Sequence, residues 1–393
     1  MLNKSRITWD EIGVTAEIAA FTTDGTAGDG TAEYHVMLHV EPRRDLFEGQ
    51  LQRLYLGMQF LTELPLTAGA RIVAKRYYLS DSTNQQPLMK AETDCASACI
   101  QQAPLDGSKV AVWVYMVRAE GLDVHVADGV AAYSHNGYTH LWTMGMSRSE
   151  GDSSEQTDWL LRRYEQMLSD RGASLADNCI RTWFFVRDVD TQYAGMVNAR
   201  RENFISQGLT QTTHYISSTG IGGNPADTRA LIQMDAYSLT GFQPSQQRYL
   251  YAKSHLSPTY DYGVTFERGT LMEYGDRGHI FISGTASIDS KGEVLHVGDI
   301  VRQTERMWEN VEALLAEGEM TFADVMQITV YLRDIADYAT VEDMFRRRFP
   351  DTPYVITLAP LLLPLFASEG LPAMPSNLHY RGSCSFHIRS DTC

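Results

Sequence analysis

The sequence predicts an α+β protein made of tandem two-layer sandwiches, three in one chain, from three observations. A helix-to-strand pattern recurs at long period, a strand pair precedes each copy, and a closing strand follows the first two copies. Around Gln303 the pattern reads QTERMWENVEALLAEGEMTFADVMQITVYLRD: an amphipathic helix, a short polar turn and a β-rich run ending in Asp334. Met307, Val311, Leu314 and Leu315 share one side of that helix, as the 3.6-residue period requires of a buried stripe. A second copy, QTDWLLRRYEQMLSDRGASLADNCIRTWFFVRD, starts at Gln156 and ends in Asp188. A third, weaker one starts at Gln50 and ends in Asp81.

The remaining elements follow in order. TAEYHVMLHV, THLWTMGMS and HIFISGTASI mark the strand pairs, and SKVAVWVYMVR and DTRALIQMDAYSL the closing strands. Each unit therefore reads β-β-α-β-α-β, a sheet with helices on one face. Its other face needs a partner, and three such faces packed together would form a pseudo-trimer, the intramolecular form of cyclic symmetry. The expected boundaries are 1–130 for a degenerate first unit, 131–245, 246–360, and an atypical tail over 361–393. A length of 393 residues, too great for one core, agrees with this division.

Composition narrows the function. A net charge of −16 repels polyanions, which argues against nucleic acid and anionic membrane surfaces as partners. The N-terminus lacks an apolar signal core, and the apolar run from Leu358 to Ala367 is short and broken by Pro360 and Pro364, so a cytoplasmic protein is expected. The five cysteines form no disulfide framework. Cys95 and Cys99, four apart, would share one face of a helix, and no second Cys or His pair stands nearby to complete a metal site. Neither a metal nor an organic cofactor is expected, since HExxH, Walker and GxGxxG spacings are absent.

HIFISGTASIDSKGEVLHVGDIVRQTERMWENVEAL resembles the YjgF/Rid superfamily, with its SG-bearing strand, GD step and helix opened by Gln-Thr. SGTASI with HVGD, HLSPTYDYGVTFERG upstream, and YAGMVNARRENF leading to STGIGG are similar to the chorismatase branch. Coverage runs from about Thr139 to Pro360. Each motif alone has an ordinary reading, as a bulge, a turn glycine or a solvated arginine face; their order in one chain makes the resemblance specific. It implies tandem chorismate-mutase-like sandwiches and a hydrolase that cleaves the enolpyruvyl ether of chorismate, or a related cyclic carboxylate, to release pyruvate.

A small anionic carboxylate substrate calls for arginines, whose planar fork pairs with carboxylates. By the resemblance Arg200 holds one carboxylate and Arg347 or Arg348 the other, Tyr251 and Tyr260 contact the ring, and Gly220 and Gly284 let backbone approach the ligand. The family's proton donor is a glutamate on the last strand, after a Cys-Arg pair, and no such residue is found here. Beyond Pro360 the text becomes LLLPLFASEGLPAMPSNLHYRGSCSFHIRSDTC, in which Glu369 and Asp391 are the carboxylates. Either Leu378, Tyr380, Cys384, Phe386 and Ile388 supply a replacement strand, or a reading-frame change has removed the closing strand and the acid; the abruptness of the break favours the second. Two further functions compete with the hydrolase: an imine or enamine deaminase, against which the third copy lacks the expected Pro-x-Arg, and a non-catalytic metabolite binder. Such a chain would act as a pseudo-trimeric monomer or as a homo-oligomer.

Overall fold

The structure, a computed structural model, describes residues 1–23 and 31–360, with 261–262 and 382–390 as backbone only. The first sheet contains β1 (Leu2–Trp9), β2 (Val14–Thr22), β3 (Ala32–Val40), β4 (Arg71–Leu79), β5 (Ala96–Gln101) and β6 (Val110–Arg118). Its helices are α1 (Phe47–Glu63) and the single turn α2 (Ser82–Gln85). The second sheet contains β7 (His125–Ala127), β8 (Val130–His135), β9 (Tyr138–Ser147), β10 (Cys179–Val186), β11 (Ser217–Gly222) and β12 (Ile232–Thr240). Its helices are α3 (Ser153–Ser169), the short α4 (Leu175–Asn178) and α5 (Val189–Ser206). The third contains β13 (Gln247–Leu250), β14 (Gly269–Glu273), β15 (Gly278–Thr285), β16 (Val325–Leu332), β17 (Tyr354–Leu358) and β18 (Gly382–Ser390), with α6 (Ile300–Glu317) and α7 (Tyr338–Arg348).

All three sheets have one strand order: β1-β2-β3-β6-β4-β5, β7-β8-β9-β12-β10-β11 and β13-β14-β15-β18-β16-β17. Each has two strands more than the sequence suggested, a leading strand and a parallel edge strand, β5, β11 or β17. A parallel pair needs a crossover, which α5 and α7 provide in the second and third units. In the first, that crossover shrinks to α2 and a following 3-10 turn, Gln86–Leu88. Cys95 and Cys99 therefore stand at the start of β5 and within it rather than on a helix; residues four apart share a strand face as well.

The glutamine at the head of the first two long helices has a mechanical role. Gln50 Oε1 accepts Lys109 N–H at 2.7 Å, and Gln156 Oε1 accepts Leu231 N–H at 2.8 Å, so each buried amide ties its helix to the entrance of the closing strand. Met307, Val311, Leu314 and Leu315 are buried beneath α6, as the periodicity predicts. Separate apolar cores lie under the helices of each sheet. The opposite faces meet in a fourth core, to which Trp113, Trp142, Tyr237 and Phe281 contribute from all three sheets. Around it β5 lies against β9, β11 against β15, and β16 against β2 and β3. Two arginines of this interior have carboxylate partners, Arg76 with Asp235 at 2.7 Å and Arg277 with Glu33 at 2.8 Å.

The expectation of a lost closing strand is corrected. Backbone of β18 runs antiparallel to both β15 and β16, with His387 opposite Phe281 and Ser385 opposite Thr329, in the position β6 and β12 hold in their sheets. The alternating tail, not a shortened unit, completes the third sheet, which thus extends past residue 360. Glu369 lies outside the described residues. No helix among the described residues is long and apolar enough to cross a membrane.

Candidate functional site

The site is built where the edge of the second sheet meets the third. Helix α5 presents Tyr193, Met196, Val197, Arg200 and Phe204 inward, so an arginine occupies a stripe that is otherwise aromatic and aliphatic. The helix approaches β11 closely because position 220 has no side chain: a Cβ there would lie 2.9 Å from the Tyr193 ring and 3.1 Å from Met196. Gly220 thus faces its own helix. A Cβ on Gly284 would lie 3.2 Å from Thr219, so this glycine lets β15 pack on β11 across the seam.

Hydroxyls stitch that seam. Ser218 N–H donates to Ser283 Oγ at 2.9 Å, Ser217 and Thr270 share a hydrogen bond of 2.7 Å, and Ser283 Oγ donates to the carbonyl of Glu267. Arg200 sits inside it, 1% exposed. Its Nε donates to Thr265 Oγ1 and its Nη1 to Ser218 Oγ, both at 3.3 Å, and the guanidinium lies 5.7 Å from the Phe184 ring centre. Its Nη2 has no hydrogen-bond partner among the described residues, nor has the buried Ser257 Oγ. No carboxylate among the described residues pairs with Arg200; burial disfavours its charge and lowers its pKa from the ordinary arginine value. A buried cation without a counter-ion is costly unless something else supplies negative charge.

Phe266, next in the chain to the Thr265 that accepts from Arg200, lines a cavity of about 210 Å³. Tyr215, Tyr251, Tyr260, Lys253, Glu267 and Arg268 are on its wall. Its volume suits a small metabolite. Lys253 Nζ stands 5.3 Å from the Tyr251 ring centre, and Arg268 donates from Nε and Nη2 to Ser257 O at 3.2 and 3.0 Å. Burial, with the nearby Glu267 and Glu317, pushes the Tyr251 hydroxyl up to about 12. Glu267 is 7% exposed. Its Oε1 accepts Tyr215 N–H at 2.8 Å, while its own N–H donates to Ile216 O at 3.1 Å. Burial raises its carboxyl above the usual range, against the opposing pull of the Tyr215 N–H and of Arg268.

The segment between Ser257 and Glu267 touches both cavity and arginine: Pro258, Thr259, Tyr260 and Phe266 line the cavity, and Thr265 accepts from Arg200. It turns through a 3-10 stretch, Thr259–Tyr262, into Gly263, whose φ of +80° favours glycine. Arg201 donates to Gly263 O and Thr259 Oγ1 to Phe266 O, pinning the turn over the end of α5.

Of the expected residues, the structure brings Tyr251 and Tyr260 together on the cavity wall, the latter 46% exposed. Arg200 is not on that wall and is joined to it through Thr265, next to Phe266. Arg347 and Arg348 are elsewhere: Arg347 pairs with Asp343 at 2.7 Å on the exposed side of α7, and Arg348 covers Trp308 and Phe322 at 4.8 and 4.9 Å. The basic groups on the wall are instead Lys253 and Arg268. Arg268 and Glu267 sit in the Phe-x-Arg motif already noticed in the sequence; what failed to single them out is that burial is not written in a short motif.

Residues 273–361 match the family described as Endoribonuclease L-PSP. A 73-residue stretch is 36% identical to a RutC family protein of Pyrococcus abyssi, covering 19% of this chain and 58% of that one. Protein DfrA of Myxococcus xanthus is also 36% identical over 73 residues, 19% of this chain and 56% of its own. The 3-aminoacrylate deaminase RutC of Acinetobacter baylyi is 31% identical over 72 residues, 18% and 57% of the two chains. The chain spans less than two thirds of the length of these curated relatives. A crystal structure of a chorismatase is similar over 81% of this chain and 93% of that one, with a TM-score of 0.60 at 18% sequence identity. The chain therefore contains a YjgF/Rid-type domain and has a chorismatase-like α+β fold.

Proposed function

We propose that the seam between the second and third sheets binds a small cyclic enolpyruvyl carboxylate, chorismate or a close relative, and that the protein hydrolyses its enol ether to release pyruvate. The observation that carries this reading is Arg200, a buried guanidinium with no carboxylate partner among the described residues, hydrogen-bonded to Thr265 beside the Phe266 and Glu267 that line a tyrosine-walled cavity. A dianionic ligand would meet Lys253 and Arg268 on the wall and draw on the uncompensated charge behind it, while Tyr251 and Tyr260 flank the ring. Direct contact with Arg200 requires the turn from Pro258 to Phe266 to yield. The likeness in fold to a chorismatase supports the same reaction class.

The same proposal takes the three sheets, divided near 130 and 245 and with the third running on past 360 to β18, as Rid-like units packed as a pseudo-trimer. The first is a degenerate copy with a vestigial second helix. Such a protein would work in the cytoplasm on a diffusible metabolite, without a cofactor. The test is direct. Purified protein with chorismate should release pyruvate, read by coupling to lactate dehydrogenase, and Arg200→Ala should lower the rate at least 100-fold. No pyruvate from the wild-type protein would exclude the hydrolase. Ammonia release from 2-aminoacrylate would favour the deaminase instead. Stabilisation by chorismate without turnover would favour a binding protein.

A further inference from the structure

Hydrolysis of an enol ether begins with a proton delivered to the terminal methylene carbon, and that proton needs an acid that is neutral near pH 7 and faces the substrate. The strand that closes the third sheet carries no carboxylate: Gly382–Ser390 reads GSCSFHIRS. The acid has to come from elsewhere. Among the described residues lining the cavity, Glu267 is the one carboxylic acid.

We infer that Glu267 is the proton donor of the proposed reaction, an assignment that rests on the hydrolase reading and adds to it the residue doing the chemistry. Its placement is fixed at both ends. The backbone of Glu267 is bridged to Ser217 of the second sheet, and its carbonyl is held by Ser283 of the third. The side chain is oriented by Tyr215 N–H on Oε1, and Oε2 has no hydrogen-bond donor among the described residues, which leaves that oxygen to carry a proton toward the cavity. No ion pair neutralises Glu267 among the described residues. The groups that face it are Tyr215, Tyr249, Tyr251, Tyr260, Lys253 and Arg268. Burial favours the neutral acid, whereas the Tyr215 N–H and Arg268 favour the carboxylate; burial is the larger influence.

The step balances without a further reagent. Glu267 Oε2–H protonates the methylene carbon, its C=C electrons forming the new C–H bond and leaving an oxocarbenium carbon beside the ether oxygen. Water adds to that carbon and gives up a proton, which returns to the Glu267 carboxylate. The hemiketal then collapses, the C–O bond breaks, and pyruvate and the ring alcohol leave.

The test compares wild type, Glu267→Gln and Glu267→Asp for pyruvate release over a pH series and for thermal stabilisation by chorismate. Expected are an active wild type whose rate falls as pH rises, a Glu267→Gln variant still stabilised by chorismate but about 10²- to 10⁴-fold slower, and a Glu267→Asp variant whose alkaline limb is displaced. Wild-type activity with Glu267→Gln within threefold of it would overturn this assignment and leave the hydrolase standing. An inactive wild type would overturn both. If Glu267→Gln does not fold, Glu267→Asp decides: an unshifted pH profile overturns the assignment.

Discussion

The seam between the second and third sheets and the seam between the third and the first join sheets of identical strand order, yet they treat charge in opposite ways. At the second of these, His39 lies 3.5 Å from Glu17 and 3.4 Å from Asp106, Arg6 reaches Glu17 at 3.0 Å, and the Tyr354 hydroxyl donates to Glu342 at 3.1 Å, around a cavity of about 190 Å³. Arg6 and His39, the cations on that cavity's wall, each have an acid. Burial opposes the charge on His39, but Asp106 and Glu17 outweigh it and raise its pKa to about 10. At the first seam Arg200 is buried with hydroxyls alone and its pKa falls. The acids of the one cluster are supplied by the chain itself, whereas Arg200 keeps one nitrogen, Nη2, without a hydrogen-bond partner among the described residues.

The interior provides the harshest way to break this comparison. Asp235 accepts both Nε and Nη2 of Arg76, at 2.9 and 2.7 Å, and also Gly145 N–H at 2.7 Å. Asp235→Ala strands a buried guanidinium and should cost about 3–5 kcal/mol in urea unfolding. Arg200→Met removes a charge that has hydroxyl partners but no carboxylate partner among the described residues, and should leave stability unchanged or raised in the same experiment. A loss of several kcal/mol from Arg200→Met would mean that its role is structural.

Next in size is Glu17→Leu, which deprives His39, Arg6 and the Tyr354 N–H of one acceptor. A cost of about 1–3 kcal/mol is expected, with no change in pyruvate release. Gly220→Ala should lower stability by about 1–3 kcal/mol through overpacking against Tyr193, and Gly284→Ala by less, because its nearest neighbour is a single Thr219 methyl at 3.2 Å. Thermal unfolding separates them; a specificity change without a stability change would restore both glycines to the ligand.

The paired seam also carries a pH dependence. The folded pKa of His39, about 10, lies above the unfolded value near 6.5. Its stabilisation is therefore fully present below pH 6.5 and is lost as pH rises through about 10. The difference in urea midpoint between wild type and His39→Gln should shrink from pH 6 to pH 10; a constant difference would contradict the pairing.

Much of this architecture is legible in the sequence because it rests on periodicity. The helix stripe of Met307, Val311, Leu314 and Leu315, the repeated glutamine at the head of each long helix, and the alternation of Cys384, Phe386 and Ile388 are local patterns with one physical meaning. The parallel edge strands were missed for the opposite reason. SSTGIG reads as a turn because its glycines serve packing across layers, and ASACIQ reads as a helix because four-residue spacing fits both periods. The site was half legible. Arg200 followed from the resemblance, but its burial, and the replacement of Arg347 and Arg348 by Lys253 and Arg268, depend on which surfaces the sheets cover. Glu267 was quoted in the sequence as the middle of a motif; its environment comes from Tyr215 and Ser217, some fifty residues away.

The measurement that bears most directly on the central claim is pyruvate release from chorismate by wild type and by Arg200→Met, with chorismate-induced stabilisation followed in parallel. The account predicts that the wild type is stabilised and releases pyruvate, and that Arg200→Met remains folded with the rate down at least 100-fold and the stabilisation lost. A folded Arg200→Met protein that binds and turns over chorismate like the wild type would contradict it.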